Sequence, residues 1–379
     1  MKKCVVVSDS FKGSLSSTAI GRIAGEVIGE VFPDCQVVAI PVADGGEGTV
    51  ECFLQSAGFE PVSLPVSGPY GEEITARYAR QEDTAVIEMA AAAGLPLVGD
   101  QKNPARTTTY GVGQLIGHAV DSGCRRILLG LGGSATNDGG CGCAAALGAV
   151  FRDNEGDVFC PVGGTLDRIA SIDLTVLRRR LQDVEITVMC DVTNPLYGPN
   201  GAAYVFAPQK GADEALVEKL DENLRHFSGV LAAEVGVDPA DMPGAGAAGG
   251  MGAGCVALLG AQLKPGINAI LDTVGFDRHL DGTDLVITGE GRIDSQSLQG
   301  KVISGVVSRT RPRNVPVVAV VGDVADSAAG AYDVGVSAIF SINRLAIPFK
   351  EAAARSMADY RSTLVDIMRL ICLAEDMKK

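Results

Sequence analysis

Tryptophan is missing from this 379-residue chain, and only three histidines occur, His118, His226 and His279. They are isolated, and His118 and His226 lie on expected helices without an acid or nucleophile nearby, so all three read as core or surface histidines. No CxxC pair occurs. The ten cysteines are scattered through apolar segments (Cys4, Cys52, Cys190, Cys255, Cys372), as buried small hydrophobes would be. Cys141-Gly142-Cys143, the only close pair, lacks the partners a zinc site needs. No run reaches the roughly 18 to 20 apolar residues of a membrane span. Lys2-Lys3 and Val5–Val7 mimic a leader only briefly, because Ser8-Asp9 stops the run short of an apolar core of about 7 to 15 residues. These absences point to the cytoplasm, with no membrane partner.

Positive charge is also scarce. Thirty-two Lys and Arg face 46 Asp and Glu, a net charge of −14. Broad nucleic-acid binding needs a basic surface and is excluded. An acidic chain that binds an anion must gather its few cations, or a metal, locally. Familiar nucleotide and hydrolase motifs are lacking too. Gly300-Lys301 has neither the earlier glycine nor the following Ser or Thr of a Walker A loop. Gly244–Gly249 spells a dinucleotide fingerprint, but Asp238–Pro243 before it is no strand, so a close-packed helix start is the better reading. There is no Gly-x-Ser-x-Gly elbow.

Glycine is abundant, with 48 residues, in a composition that is 46% hydrophobic and 21% charged. That is globular composition, and the length suits two or three domains. The glycines concentrate where expected strands end. Ile127–Leu131 runs into Gly132-Gly133-Ser134-Ala135-Thr136-Asn137-Asp138-Gly139-Gly140, followed by an expected helix over 142–150. Strand, glycine elbow and helix aim backbone N–H groups at an anion, and Ser134, Thr136, Asn137 and Asp138 add polar side chains. Three similar loops recur: Ser8–Ser14 after Cys4–Val7, Ala43–Thr49 after Val37–Pro41, and Gly289–Asp294 after Leu285–Thr288. In open α/β sheets ligands sit beyond the carboxyl ends of strands, so the loops are expected to converge on one crevice.

The first residues read β-α-β-α, with Ile20, Ile23, Ala24, Val27, Ile28 and Val31 on one helical face behind a Ser16 or Ser17 cap. From Pro61 the texture changes to short strands, 61–66, 74–78 and 85–89, with turns that suggest antiparallel pairing. The middle continues with helix 110–121, strands 126–131, 185–190 and 202–206, and a long helix over 213–235. The last quarter returns to β-α alternation, with helices at 298–309 and 351–375. The expected architecture is α/β: a flavodoxin-like parallel-sheet domain from 1–60 and 270–379, interrupted by a mixed α/β domain over 61–269. A cleft between them is the natural ligand site.

Phosphoryl transfer needs charge neutralisation and alignment more than covalent chemistry. Lys12 can place an ammonium on a phosphate, with Ser10, Ser14 and backbone N–H groups on the other oxygens. Lys210 and Arg292 are further cations in glycine loops, although each could be a plain surface charge. Asp44, Glu47, Glu290 and Asp294 would repel one another if they converge, and magnesium would relieve that repulsion. Asp191, just beyond strand 185–190, can accept a proton from a hydroxyl or cap a turn.

Taken together, Asp9–Leu15, Asp44–Thr49, Gly132–Gly140, Pro208-Gln209-Lys210-Gly211 and Gly289–Asp294 resemble, in order and spacing, the signature segments of type-1 glycerate kinases. The resemblance spans Val5 to the C-terminal helix. Ser8 stands where the family tends to have Pro and Ala207 where it often has Gly, and neither change removes a functional group. It implies a flavodoxin-like domain joined to a restriction-enzyme-like one, and ATP-dependent phosphorylation of D-glycerate, with 2-phosphoglycerate the favoured product. Catalytic work then falls to Lys12, Asp191, Asp294 and Arg292, with Asp191 the preferred base and Asp294 the alternative. Ligand binding falls to Ser10, Ser14, Ser134, Thr136, Asn137, Asp138, Lys210, Gly289 and Gly291, and Mg2+ to Asp44, Glu47 and Glu290. The competing class is a non-catalytic sensor of a small hydroxy acid, which would favour cations and neutral donors over clustered acids.

Overall fold

A computed structural model describes residues 1–11, 13–42, 48–55, 58–295, 297 and 300–377. The chain divides into two compact units. One comprises Met1–Asp44, Gln55–Ala57 and Pro265–Lys379, the other Gly45–Leu54 and Gly58–Lys264.

The first unit is built on five parallel strands in the order Ala338–Ser341, Val317–Val321, Leu285–Gly289, Lys3–Ser8, Gln36–Pro41. Counted along the chain this is the 2-1-3-4-5 order of flavodoxin-like sheets, whose switch point lies between the first and third strands. Val5, Val6 and Val7 are buried in succession because helices cover both faces of the sheet. Helix Ser17–Val31 begins where Ser16 accepts the Ala19 N–H at 3.2 Å, and it buries Ile20, Ile23, Ala24, Val27 and Ile28. It packs with the C-terminal helix Phe349–Asp376 on one face, while helix Val302–Thr310 packs against Leu285–Gly289 and Lys3–Ser8.

The second unit centres on a six-stranded sheet ordered Gln262–Lys264, Glu185–Met189, Arg126–Gly130, Thr84–Glu88, Glu73–Gln81, Glu60–Ser67. The first four are parallel, and the last two pair antiparallel, as the turn-rich texture after Pro61 suggests. Arg126–Gly130, compatible by texture with either sheet, pairs here with Thr84–Glu88 and Glu185–Met189. Among the described residues, no helix is long and apolar enough to cross a membrane.

Several expected elements differ. Ala202–Phe206 is a helix, not a strand. Its buried Ala202 and Ala203 pack against helices Glu214–Val230 and Ala247–Ala257, and this contact overrides the β preference of Tyr204-Val205-Phe206. The helix after the Gly132–Gly140 loop is only Cys141–Ala146, because Gly148 at φ 108° turns the chain and Val150 enters a strand. The long helix is α-helical over Glu214–Val230 and closes in a π turn, Leu231–Val235, at left-handed Gly236.

The fingerprint-like glycine tract opens a packed segment, Ala247–Ala257, whose residues are almost all buried. Its glycines allow backbone to touch backbone. A Cβ on Gly249 would strike Thr136 O, and one on Gly254 would strike Gly139 O. Gly249 also has φ +70°. Gly249→Ala should therefore destabilise the chain by about 3 kcal/mol or more. Gly29, in helix Ser17–Val31, has open space at its Cβ position, so Gly29→Ala should stabilise by about 0.5–1 kcal/mol. Urea midpoints of both variants check this, and equal shifts would refute the packing argument.

Candidate active site

In the first unit the switch point brings two of the glycine loops together. Ser8 and Gly289 are paired at the carboxyl ends of adjacent strands, and Asp9 N–H donates to Gly289 O at 2.9 Å. A side chain on Gly289 would strike Val320 O, so only glycine lets the neighbouring strand approach there. A cavity of about 340 Å³ opens beyond these strand ends. Asp9, Ser10, Ser14, Glu290, Arg292 and Lys301 give it polar groups, and Phe11, Val302, Ile342 and Phe349 give it an apolar wall.

The first loop is closed by Phe11 and Leu15, which pair across it (Phe11 N–H to Leu15 O, 2.7 Å) and bury their side chains in the core. Within it, Ser10 N–H donates to Asp9 Oδ1 at 2.7 Å and Ser14 Oγ donates to Phe11 O at 3.1 Å. Lys12 lies outside the described residues, as do Asp44 and Glu47.

Glu290 is the unusual group of the second loop. Only 7% of it is exposed, and among the described residues its buried Oε1 has no partner. Burial, reinforced by Asp9 and Asp294, pushes its carboxyl up to about 7, against the pull of Ser297 and Lys301. Arg292 is exposed, on a short strand beside Asp323–Val324, with Nε 3.7 Å from Asp323 Oδ2. Asp294 is tied into its own turn: its N–H donates to Ser297 Oγ at 3.0 Å, and Ser297 N–H returns to Asp294 Oδ1 at 3.3 Å. Gly291 O accepts the Asp323 N–H at 3.0 Å.

In the second unit the Gly132–Gly140 loop turns most of its polar groups inward. Thr136, Asn137 and Asp138 are fully buried. Asp138 Oδ2 accepts from Thr109 N–H and Oγ1 at 2.8 Å each and from Gly142 N–H at 3.2 Å, while Oδ1 accepts from Gly140 N–H at 3.1 Å. Burial raises this carboxyl and the four donors oppose the rise. Lys210, on the 3₁₀ turn Pro208–Lys210, is 2% exposed and donates to Ser134 Oγ at 2.8 Å and Thr136 O at 2.7 Å. Burial pulls its ammonium down to about 7, partly offset by the charge of Asp138. Asp191 is exposed just past strand Glu185–Met189.

The structure thus joins Ser10, Ser14, Glu290, Gly291 and Arg292 in one cavity, and Ser134, Thr136, Asp138 and Lys210 in one buried cluster. Among the described residues no three His, Cys, Asp or Glu side chains form a metal cage. Among the cavity residues not singled out from the sequence are two charged ones beside the loops, Asp9 and Lys301. Asp9 stands in the first loop motif, and Lys301 follows left-handed Gly300 as the residue capping helix Val302–Thr310. Failure of the Walker spacing had set Lys301 aside.

Glu290 makes stability depend on pH. A carboxyl whose folded pKa lies above its ordinary 4.5 binds more protons folded than unfolded, so stability falls as pH rises from 4.5 to about 7. Glu290→Gln should be more stable than the parent by up to about 3 kcal/mol at pH 8 in chelator-containing buffer, the gap closing near pH 4.5. Urea unfolding of both proteins at pH 5 and pH 8 measures this, and a constant gap would contradict it.

A model of the Glycerate kinase family matches residues 4–372. The chain is 46% identical over 353 residues to the glycerate kinase of Bacillus cereus, covering 92% of this chain and 93% of that one. It is 46% identical over 343 residues to the glycerate 2-kinase of Escherichia coli K12, covering 90% of each. A crystal structure of a Salmonella typhimurium LT2 protein assigned as glycerate kinase 2 superposes with a TM-score of 0.89, at 40% identity and 99% coverage of both chains. This chain belongs to the glycerate kinase family.

Proposed function

We propose that this chain transfers the γ-phosphoryl group of ATP to D-glycerate, giving 2-phosphoglycerate, in organic-acid catabolism. The observation that carries the reading is the convergence of Asp9, Ser10, Phe11 and Ser14 with Glu290–Arg292 on a cavity with both an apolar wall and cationic groups. A three-carbon hydroxy acid needs no such wall, whereas a nucleotide does. The ten cysteines are free thiols, which suits the cytoplasm as the working compartment.

In this reading Ser10, Ser14 and the backbone at Gly289 and Gly291 take the nucleotide phosphates, and Lys12 and Arg292 neutralise charge on the transferring group. Asp191 receives the proton of the substrate hydroxyl as its oxygen attacks phosphorus and the bond to the ADP oxygen breaks. Asp294 is the alternative base. Asp44, Glu47 and Glu290 would hold Mg2+, and the unpartnered Oε1 of Glu290 suits an oxygen-seeking cation. The metal, when bound, supplies charge neutralisation on the phosphates. From the second unit's loop Ser134 orients a ligand, with Thr136 and Asn137 behind it and Asp138 and Lys210 holding the loop from beneath.

NMR of the product made from Mg–ATP and D-glycerate identifies the phosphorylated carbon. A 3-phosphate would correct the regiochemistry, and no turnover under any condition would remove the reading. Lys12→Ala should lower kcat by about 100-fold or more. Asp191→Asn should lower it by about 10²–10⁴-fold at saturating Mg–ATP. A near-normal Asp191→Asn beside an inactive Asp294→Asn would transfer the base to Asp294. Two active variants would leave positioning and electrostatics as the whole mechanism.

A further inference from the structure

The second unit contains a buried ammonium that forms no direct hydrogen bond to a carboxylate. Lys210 Nζ donates to Ser134 Oγ at 2.8 Å and Thr136 O at 2.7 Å, and Asp138 acts on it through charge alone. Its seat is built for it. Gly211 follows with φ +96°, and a Cβ there would crowd the Lys102 backbone. Removing a cation from water is costly, so its partners here repay attention.

In its protonated form Lys210 only donates, and Ser134 Oγ then spends a lone pair on it. The serine proton is then left for another acceptor, and among the described residues it has none. Ser134 is also the outermost member of the stack: 8% exposed, beside exposed Gly133, above Lys210 at 2% and Thr136 at 0%. Backbone bonds pin the loop there, from Leu95 N–H to Gly133 O at 2.8 Å and from Ala135 N–H to Ala93 O at 2.9 Å. A second observation lies on the same loop. Among the described residues Thr136 Oγ1 and both amide atoms of Asn137 are buried without partners, so the loop holds more hydrogen-bonding capacity than these residues use.

We propose that Ser134 donates its hydroxyl hydrogen bond to an oxyanion of the substrate pair, a carboxylate or a phosphate, and that Lys210 is its positioning residue. Lys210 acts from beneath. It commits the serine lone pair, points the serine proton outward and supplies positive charge without meeting the ligand. An acidic chain thereby gains local positive potential at a loop that shows no exposed cation of its own. The inference deepens the glycerate kinase reading and rests on it for the identity of the ligands.

The test combines steady-state kinetics with calorimetric binding of D-glycerate alone and of ADP alone. Parent, Ser134→Ala, Ser134→Thr, Lys210→Met and the Ser134→Ala/Lys210→Met double variant are compared. Ser134→Ala should weaken one of the two ligands by about tenfold or more, raising its KM more than it lowers kcat. Ser134→Thr, which keeps the hydroxyl, should restore most of that loss. Lys210→Met should weaken the same ligand, and the double variant should add little, because both changes remove one interaction. A loss confined to D-glycerate identifies the carboxylate, and one confined to ADP identifies a phosphate. Unchanged affinity for both ligands in Ser134→Ala overturns the proposal, as does full additivity of the two changes. If Lys210→Met does not fold, the Ser134→Ala and Ser134→Thr pair still decides. Failure of the parent to phosphorylate glycerate removes the kinase reading separately, since calorimetry reads Ser134 without turnover.

Discussion

Charge held out of water governs both units of this chain. Asp138 has no exposed surface, and four donors from Thr109, Gly140 and Gly142 converge on it. Those bonds tie the segment at Thr109, the glycine elbow and the start of helix Cys141–Ala146 to one carboxylate. Once that knot is closed, the loop offers a surface of backbone on which the Gly244–Gly254 tract lies, glycine against glycine. A larger side chain at Gly249 or Gly254 would force the tract away and open the knot. Lys210, beneath the same loop, has its remaining charge supported by Asp138.

In the first unit topology creates the same condition. A parallel sheet whose order reverses beside its first strand leaves a gap between the loops at that point. Asp9, Ser10, Phe11 and Ser14 meet Glu290–Arg292 there from neighbouring strand ends, and the hydrogen bond from Asp9 to Gly289 joins them. Glu290 therefore faces partial desolvation and two like charges, and its carboxyl is driven up to about 7. The cation side of the cavity is sparse, with Arg292 and Lys301 among its lining. That balance fits the composition, in which acids outnumber bases.

Much of this was legible in the chain itself. Val5–Val7 and Val286-Ile287 are apolar runs that only a doubly covered strand explains, and the stripe from Ile20 to Ile28 reads as a helix at sight. Glycine and acid residues after such strands marked the loops of the switch point. Ala202–Phe206 was not legible, because its strand-like Tyr-Val-Phe is held helical by contacts with distant helices. Periodicity over five residues cannot register such contacts.

The sequence by itself determined most strands of the two main sheets and the long helices, the position of the glycine loops and the excess of acid over base, because these are properties of residues near one another in the chain. Only the tertiary structure decided what each polar loop residue does. Asp138 and Lys210 look alike in sequence to any loop charge, and burial together with partners 29 and 76 residues away turned them into internal supports. Glu290 and Arg292 are two residues apart, yet one is buried and the other exposed, because the path of the backbone at the sheet's switch point sends them to different surroundings. Desolvation and hydrogen-bond satisfaction depend on what surrounds an atom in three dimensions, and that is set only when the chain has closed on itself.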